Sequence, residues 1–92
     1  MASVRIELPQ LMSHVADGLR EFQVEATTLS EAFERIGAEQ PKVALHLFDE
    51  SRSLRTHVLC FLNDTNSRWL DVGTHELTDG DQLVFMQAVS GG

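Results

Sequence analysis

The chain has 92 residues, 42% of them hydrophobic, and carries 14 acidic side chains against 7 Lys and Arg, for a formal net charge of -7. This length fits one domain with a modest core, and so acidic a surface repels nucleic-acid phosphates; it suits a partner with a basic face, or simply keeps the domain in solution. A single cysteine excludes an internal disulfide framework, no charged-then-apolar leader opens the sequence, and no apolar run approaches a membrane span, so a reducing, cytoplasmic setting is expected.

Val4-Arg5-Ile6-Glu7-Leu8 alternates apolar and charged residues, which predicts a half-buried strand that Pro9 ends. Gln10 to Gly18 reads as a connection tucked down by Leu11, Met12 and Val15, with Asp17-Gly18 as a tight-turn signal. Phe22, Val24 and Ala26 alternate with Glu21, Gln23 and Glu25, giving a second strand antiparallel to the first. Thr28 with Glu31 three residues on is a capping box. Leu29, Ala32, Phe33 and Ile36 then recur at i, i+3, i+4 and i+7, so they share one face of a helix that Pro41 terminates. Pro41 also suits the first turn of a second, short helix through Val43, Ala44, Leu45, Leu47 and Phe48. Asp49 to Arg55 is polar and is expected as an exposed loop.

Val58-Leu59-Cys60-Phe61-Leu62 is continuously apolar, which predicts a strand covered on both sides. Asn63-Asp64 turns the chain, and Arg68-Trp69-Leu70 reads as a short edge strand. Gly73 opens a loop, and Leu77 anchors the turn Thr78-Asp79-Gly80-Asp81. The last strand, Gln82 to Ala88, puts Leu83 and Phe85 on one face and Val84 and Met86 on the other. A hairpin, a crossing helix and a later strand returned parallel to the first by a right-handed crossover make an α+β, β-grasp fold. Its sheet is mixed, with four to five strands and one main helix packed across one face. The domain is expected over residues 1-86, with 87-92 as a flexible tail.

That tail is the most informative stretch. Val89 and Ser90 lead to Gly91 and Gly92, so the side chains shrink to nothing before the final carboxylate. A carboxylate is a poor electrophile and must be activated before anything is joined to it. A terminus without side chains can thread a narrow enzymatic channel and adopt whatever backbone angles it imposes. The plain alternative is a frayed chain end. The functional reading makes this chain a carrier whose reactive group is the Gly92 carboxyl, with no catalytic residues of its own.

Other polar residues support no competing chemistry. Cys60 lies in an apolar strand and reads as a buried, inert thiol. His14, His46, His57 and His75 have no metal-ligand spacing, and the carboxylates are scattered. Val84 and Met86 are the exception. The helix covers one sheet face only, so these two are expected on an exposed apolar patch that docks a partner, unless the loop carrying Trp69 covers them.

Leu77-Thr78-Asp79-Gly80-Asp81-Gln82-Leu83-Val84-Phe85 followed by Ala88-Val89-Ser90-Gly91-Gly92 resembles the ubiquitin-like sulfur carriers of the ThiS/MoaD type. That group includes the small subunit of molybdopterin synthase and carriers for thiamine and cysteine synthesis. The long connection between Gln40 and His57 is more like the cysteine-pathway carriers. Gln87-Ala88 stands where the family usually has proline, which implies a less stiffly extended tail. The resemblance implies a cycle. An ATP-dependent activating enzyme adenylates Gly92, and a persulfide-bearing sulfurtransferase or sulfide replaces the adenylate to leave a thiocarboxylate. A sulfur-accepting synthase then takes the sulfur. A metallopeptidase is a further candidate partner. No bound cofactor, metal, nucleic acid or membrane is implied; ATP is used by the activating enzyme. Joining Gly92 to lysines, as a ubiquitin-like modifier does, requires the same activation and stands as the alternative.

Overall fold

The structure, a computed structural model, describes residues 1–12 and 17–87. Strand β1 (Ala2–Glu7) pairs antiparallel with β2 (Glu21–Ala26), setting Val4 opposite Val24 and Ile6 opposite Phe22. Asp17 and Gly18 turn the chain before β2 with φ of 56° and 87°, conformations that Asp tolerates and Gly adopts freely. In the connection a short 3-10 turn spans Gln10–Met12, and Met12 is buried. The anchoring expected of Leu11 and Val15, and the position of His14, lie outside the described residues.

Helix α1 (Leu29–Glu39) begins where the capping box predicts. Thr28 Oγ1 accepts from the Glu31 N–H at 3.2 Å. The return bond from the Glu31 carboxylate lands one residue upstream, on the Thr27 N–H at 2.6 Å, rather than on Thr28. Thr28 bridges to Glu76, and the Leu29 and Ser30 N–H groups donate to the carbonyls of His75 and Val72. The later loop thus serves helix donors that local capping leaves open. Pro41 starts α2 (Pro41–Leu47), which buries Val43, Ala44 and Leu47 and leaves Leu45 on the surface.

Strand β3 (Val58–Leu62) corrects one expectation. Val58, Cys60 and Leu62 are buried, but Leu59 and Phe61 are only half-buried, so the strand is covered fully on one side alone. Among the described residues no helix lies on the other side; α1 buries Leu29, Ala32, Phe33 and Ile36 on the face the core residues share. A second correction concerns the edge. It is formed by β4 (Thr65–Asn66), two residues long, and not by Arg68-Trp69-Leu70. The Asn66 side chain accepts from the Arg68 N–H at 2.9 Å and coils Ser67–Trp69 into a 3-10 turn, which removes them from strand pairing.

Strand β5 (Gln82–Gln87) runs parallel to β1 and antiparallel to β3, completing one sheet of order β2-β1-β5-β3-β4. This is the mixed β-grasp sheet expected from the sequence, with five strands. Phe33, Phe48 and Phe85 meet beneath it, with ring centroids 4.9 to 6.2 Å apart, so α1, the end of α2 and β5 share one aromatic contact.

Candidate functional site

β5 is central, and its alternation gives its six residues two tasks. Leu83 and Phe85 are buried in the core; Val84 is half-buried and Met86 is 48% exposed on the open face. The register places Leu59 opposite Met86 and Phe61 opposite Val84. Directly opposed side chains sit roughly 5 Å apart at Cβ, so these four make one contiguous apolar stripe across two strands. Trp69 is 80% exposed, so its ring does not cover them. Leu59 and Phe61 escaped the reading of the sequence, because a continuously apolar run looks like two-sided burial. The signal that finds them is register: once β3 pairs with β5, Leu59 and Phe61 must share the face of Met86 and Val84.

The stripe has a polar flank. Glu7 neighbours Val84 on β1, with Arg5 beside Gln82, and Glu21, Gln23 and Glu25 of β2 continue the same face outward. The open side of the sheet thus grades from apolar at β3 and β5 to acidic at β2.

The turn before β5 fixes where that strand starts. Gly80 has φ of 92°, the left-handed region that favours glycine. The Asp81 carboxylate accepts from the Thr78 N–H at 2.8 Å and from the Asn63 side-chain amide at 3.1 Å. Asp79 accepts from the Ser3 N–H at 2.7 Å, and the Gly80 N–H donates to the Ser3 carbonyl at 3.0 Å. The Asp-Gly-Asp motif therefore ties β1, β3 and β5 together at one end of the sheet.

From the opposite end of β5 the chain continues to Ala88, Val89, Ser90, Gly91 and Gly92. All five lie outside the described residues. Cys60 is fully buried, and burial pushes its thiol up to about 12, partly offset by a hydrogen bond with Ser67. Among the described residues no three His, Cys, Asp or Glu side chains gather as a metal site, and no helix is long and apolar enough to cross a membrane.

The comparisons with known proteins agree with this architecture. The model of the ThiS family matches residues 14–92, which is most of the chain and includes the tail. The chain belongs to the ThiS family. Solved structures with the same fold include SAMP1 from Haloferax volcanii, at 23% identity and a TM-score of 0.79, covering 99% of this chain and 100% of that one. CysO from Mycobacterium tuberculosis has 22% identity and a TM-score of 0.79, covering 94% and 99%. A chain of the Amycolatopsis orientalis BexX/CysO complex has 22% identity and a TM-score of 0.81, covering 97% and 99%. At these identities the likeness establishes the fold alone, the ubiquitin-like β-grasp. No curated protein sequence matches significantly.

Proposed function

We propose that this ThiS-family chain is a sulfur carrier that works through the carboxyl group of Gly92. The observation that carries the reading is the join between stripe and tail: Val84 and Met86, backed by Leu59 and Phe61, lie on the strand that leads into the Gly-Gly sequence. A partner docked on the stripe would hold the root of the tail. Five extended residues reach at most about 17 Å, which bounds how far from the docked edge the partner's reacting centre can lie. The tail residues Val89, Ser90 and Gly91 would thread that distance, and Gly92 would react.

The chemistry divides between partners. On an ATP-dependent activating enzyme, a Gly92 carboxylate oxygen attacks the α-phosphorus of ATP, pyrophosphate leaves, and an acyl-adenylate forms. Hydrosulfide attacking the acyl carbon displaces AMP and leaves a thiocarboxylate. A persulfide attacking instead gives an acyl disulfide, from which a second thiol releases the thiocarboxylate by exchange. Activation thus splits one unfavourable transfer into two feasible ones. On a sulfur-accepting synthase the thiocarboxylate sulfur attacks the acceptor and displaces its leaving group. Water then hydrolyses the thioester, which leaves the sulfur on cysteine, molybdopterin or another thio-metabolite and returns the carboxylate. The acidic flank of Glu7, Glu21 and Glu25 favours partners with a basic rim around an apolar centre. That a CysO chain of this fold is found in a complex with BexX supports a docking role for the domain.

A second reading is favoured by the likeness to SAMP1, a small archaeal modifier protein. In that reading activated Gly92 is joined to lysines of target proteins. Intact-mass measurement after co-expression with an activating enzyme and a sulfur donor separates the two. The carrier reading expects an oxygen-to-sulfur mass gain that deletion of Gly92 abolishes. The same gain without Gly92 rejects the site, and Gly-Gly adducts on lysines without any thiocarboxylate reject sulfur delivery.

A further inference from the structure

The helix side of the molecule holds a feature that the carrier reading does not use. Between α1, the loop after α2 and the 3-10 turn after β4 lies a recess of about 380 Å³. Phe33, Leu54 and Val72 form its apolar wall. Ser67 and Thr56 add hydroxyl groups, and the charged residues lining it are Arg52 and Arg68. The whole chain has twice as many acidic as basic side chains, yet no carboxylate is among the described residues that line this recess. Its size falls within the roughly 300–1,000 Å³ of small-molecule sites, and an apolar wall with a few convergent polar groups is their usual composition.

Both arginines are positioned in advance. Arg68 reaches from the 3-10 turn to the carbonyls of Thr56 and Val58, 3.4 and 3.5 Å away, which occupies one terminal nitrogen and leaves the rest of its donor fork unused there. Arg52 has φ of 65°, in the left-handed region that favours glycine. The loop holds it there. Asp49 accepts from Ser51 and Ser53 on either side of it, and the Arg52 N–H donates to the Asp49 carbonyl at 3.1 Å. Its guanidinium lies over the Phe48 ring, 5.7 Å from the centroid, against Gly37 of α1, where a Cβ would come within 2.5 Å of Nη1. Arg52 lines this recess and also the neighbouring one, which Gly37, Phe48, Asp49 and Glu50 line with it.

We propose that this recess binds a small organic oxyanion, with its charged head at Arg52 and Arg68 and its apolar body against Phe33, Leu54 and Val72. Guanidinium groups held in place lose little entropy on meeting an oxyanion and can donate two bonds at once. The site lies on the side of the sheet that α1 covers, opposite Val84 and Met86, so it can be filled while a partner occupies the open face.

The test is a backbone-amide NMR titration of the whole chain with phenyl phosphate, benzoate and benzyl alcohol. Saturable shifts confined to Phe33, Leu54, Ser67 and Val72 are expected from the two anions, the stronger binder identifying the head group, and none at equal concentration from the alcohol. Arg52→Gln and Arg68→Gln should each weaken anion binding about tenfold. Arg68→Gln leaves the strained loop intact and is the decisive variant if Arg52→Gln disturbs the fold. Equal response to benzyl alcohol, shifts outside the recess alone, no saturation in the millimolar range, or undiminished binding by Arg68→Gln each overturns the proposal.

Discussion

Replacing Met86 by lysine should separate docking from folding. Full burial of a methionine side chain is worth about 1.5–3 kcal/mol. Met86 is 48% exposed in the free chain, so docking can gain roughly half of that, about 1 kcal/mol. Lysine forfeits this gain and forces an ammonium group toward an apolar contact, a further penalty of about 2–3 kcal/mol. The sum predicts a Kd for the activating enzyme weakened by a factor of roughly 100 or more. Stability should barely change, within about 0.5 kcal/mol, because the lysine stem can still lie against Leu59 while its charge reaches water. Titration calorimetry with the cognate enzyme gives the first number, and urea unfolding the second. Met86→Lys binding within twofold of the parent chain would refute the assignment of the open face, provided the unfolding curve is unchanged.

Three further outcomes follow from the geometry. Gly80→Ala should destabilise the fold by about 1–2 kcal/mol and Gly80→Asn by less, since nothing lies within 4 Å of the added Cβ and the cost is that of φ at 92° alone; equal urea midpoints for all three chains would refute this. Cys60, with its thiol pushed to about 12, should resist a thiol-selective reagent at neutral pH and become labelled only in step with denaturant unfolding, so rapid stoichiometric labelling of the native chain would contradict the structure. The hydroxyl of Ser51 and the Ser53 and Ser51 N–H groups hold the Asp49 carboxyl below its ordinary 3.8. A depressed carboxylate pKa stabilises the fold above the unfolded value and loses that contribution as pH falls through the folded value. The amide signals of Ser51 and Ser53 should therefore shift with a midpoint below pH 3.8, and a midpoint above that value would show that the loop contacts do not form.

Most of the fold was legible because its signals are local. The Thr28 cap, the helical spacing of Leu29, Ala32, Phe33 and Ile36, and the alternation of β1 and β2 each depend on residues a few positions apart, and each appears in the structure as written. The misreadings have two causes. Arg68-Trp69-Leu70 reads as a strand from its apolar content, while the local signal is Asn66, whose side chain takes the N–H two residues on and coils the segment before it can pair. Elsewhere the partners lie far along the chain. Nothing in Val58–Leu62 shows that only one side meets a helix, since α1 is long before it in sequence and spans one face. The exposed stripe was half legible. Alternation in β5 named Val84 and Met86, whereas Leu59 and Phe61 became visible only with the register.

Register also sets where the stripe sits along the strand that leads to the tail. β1 pairs with β5 only from Gln82 to Val84, because Glu7 is the last residue of β1 before Pro9 ends its donor ladder. Beyond Val84 the ladder of β5 is with β3 alone, through to Gln87 opposite Val58. The start of the strand is therefore tied on both sides and at the Asp-Gly-Asp turn, while the end that leads to the tail is held on one. Leu83 and Phe85 keep that strand in the core as Val84 and Met86 face outward, so a partner that grips the open face grips the same strand that delivers the terminus. On the proposed carrier reading, a patch elsewhere on the surface would leave the tail's root free to pivot relative to a docked partner, whereas an anchor on β5 itself would fix the point from which the last five residues reach.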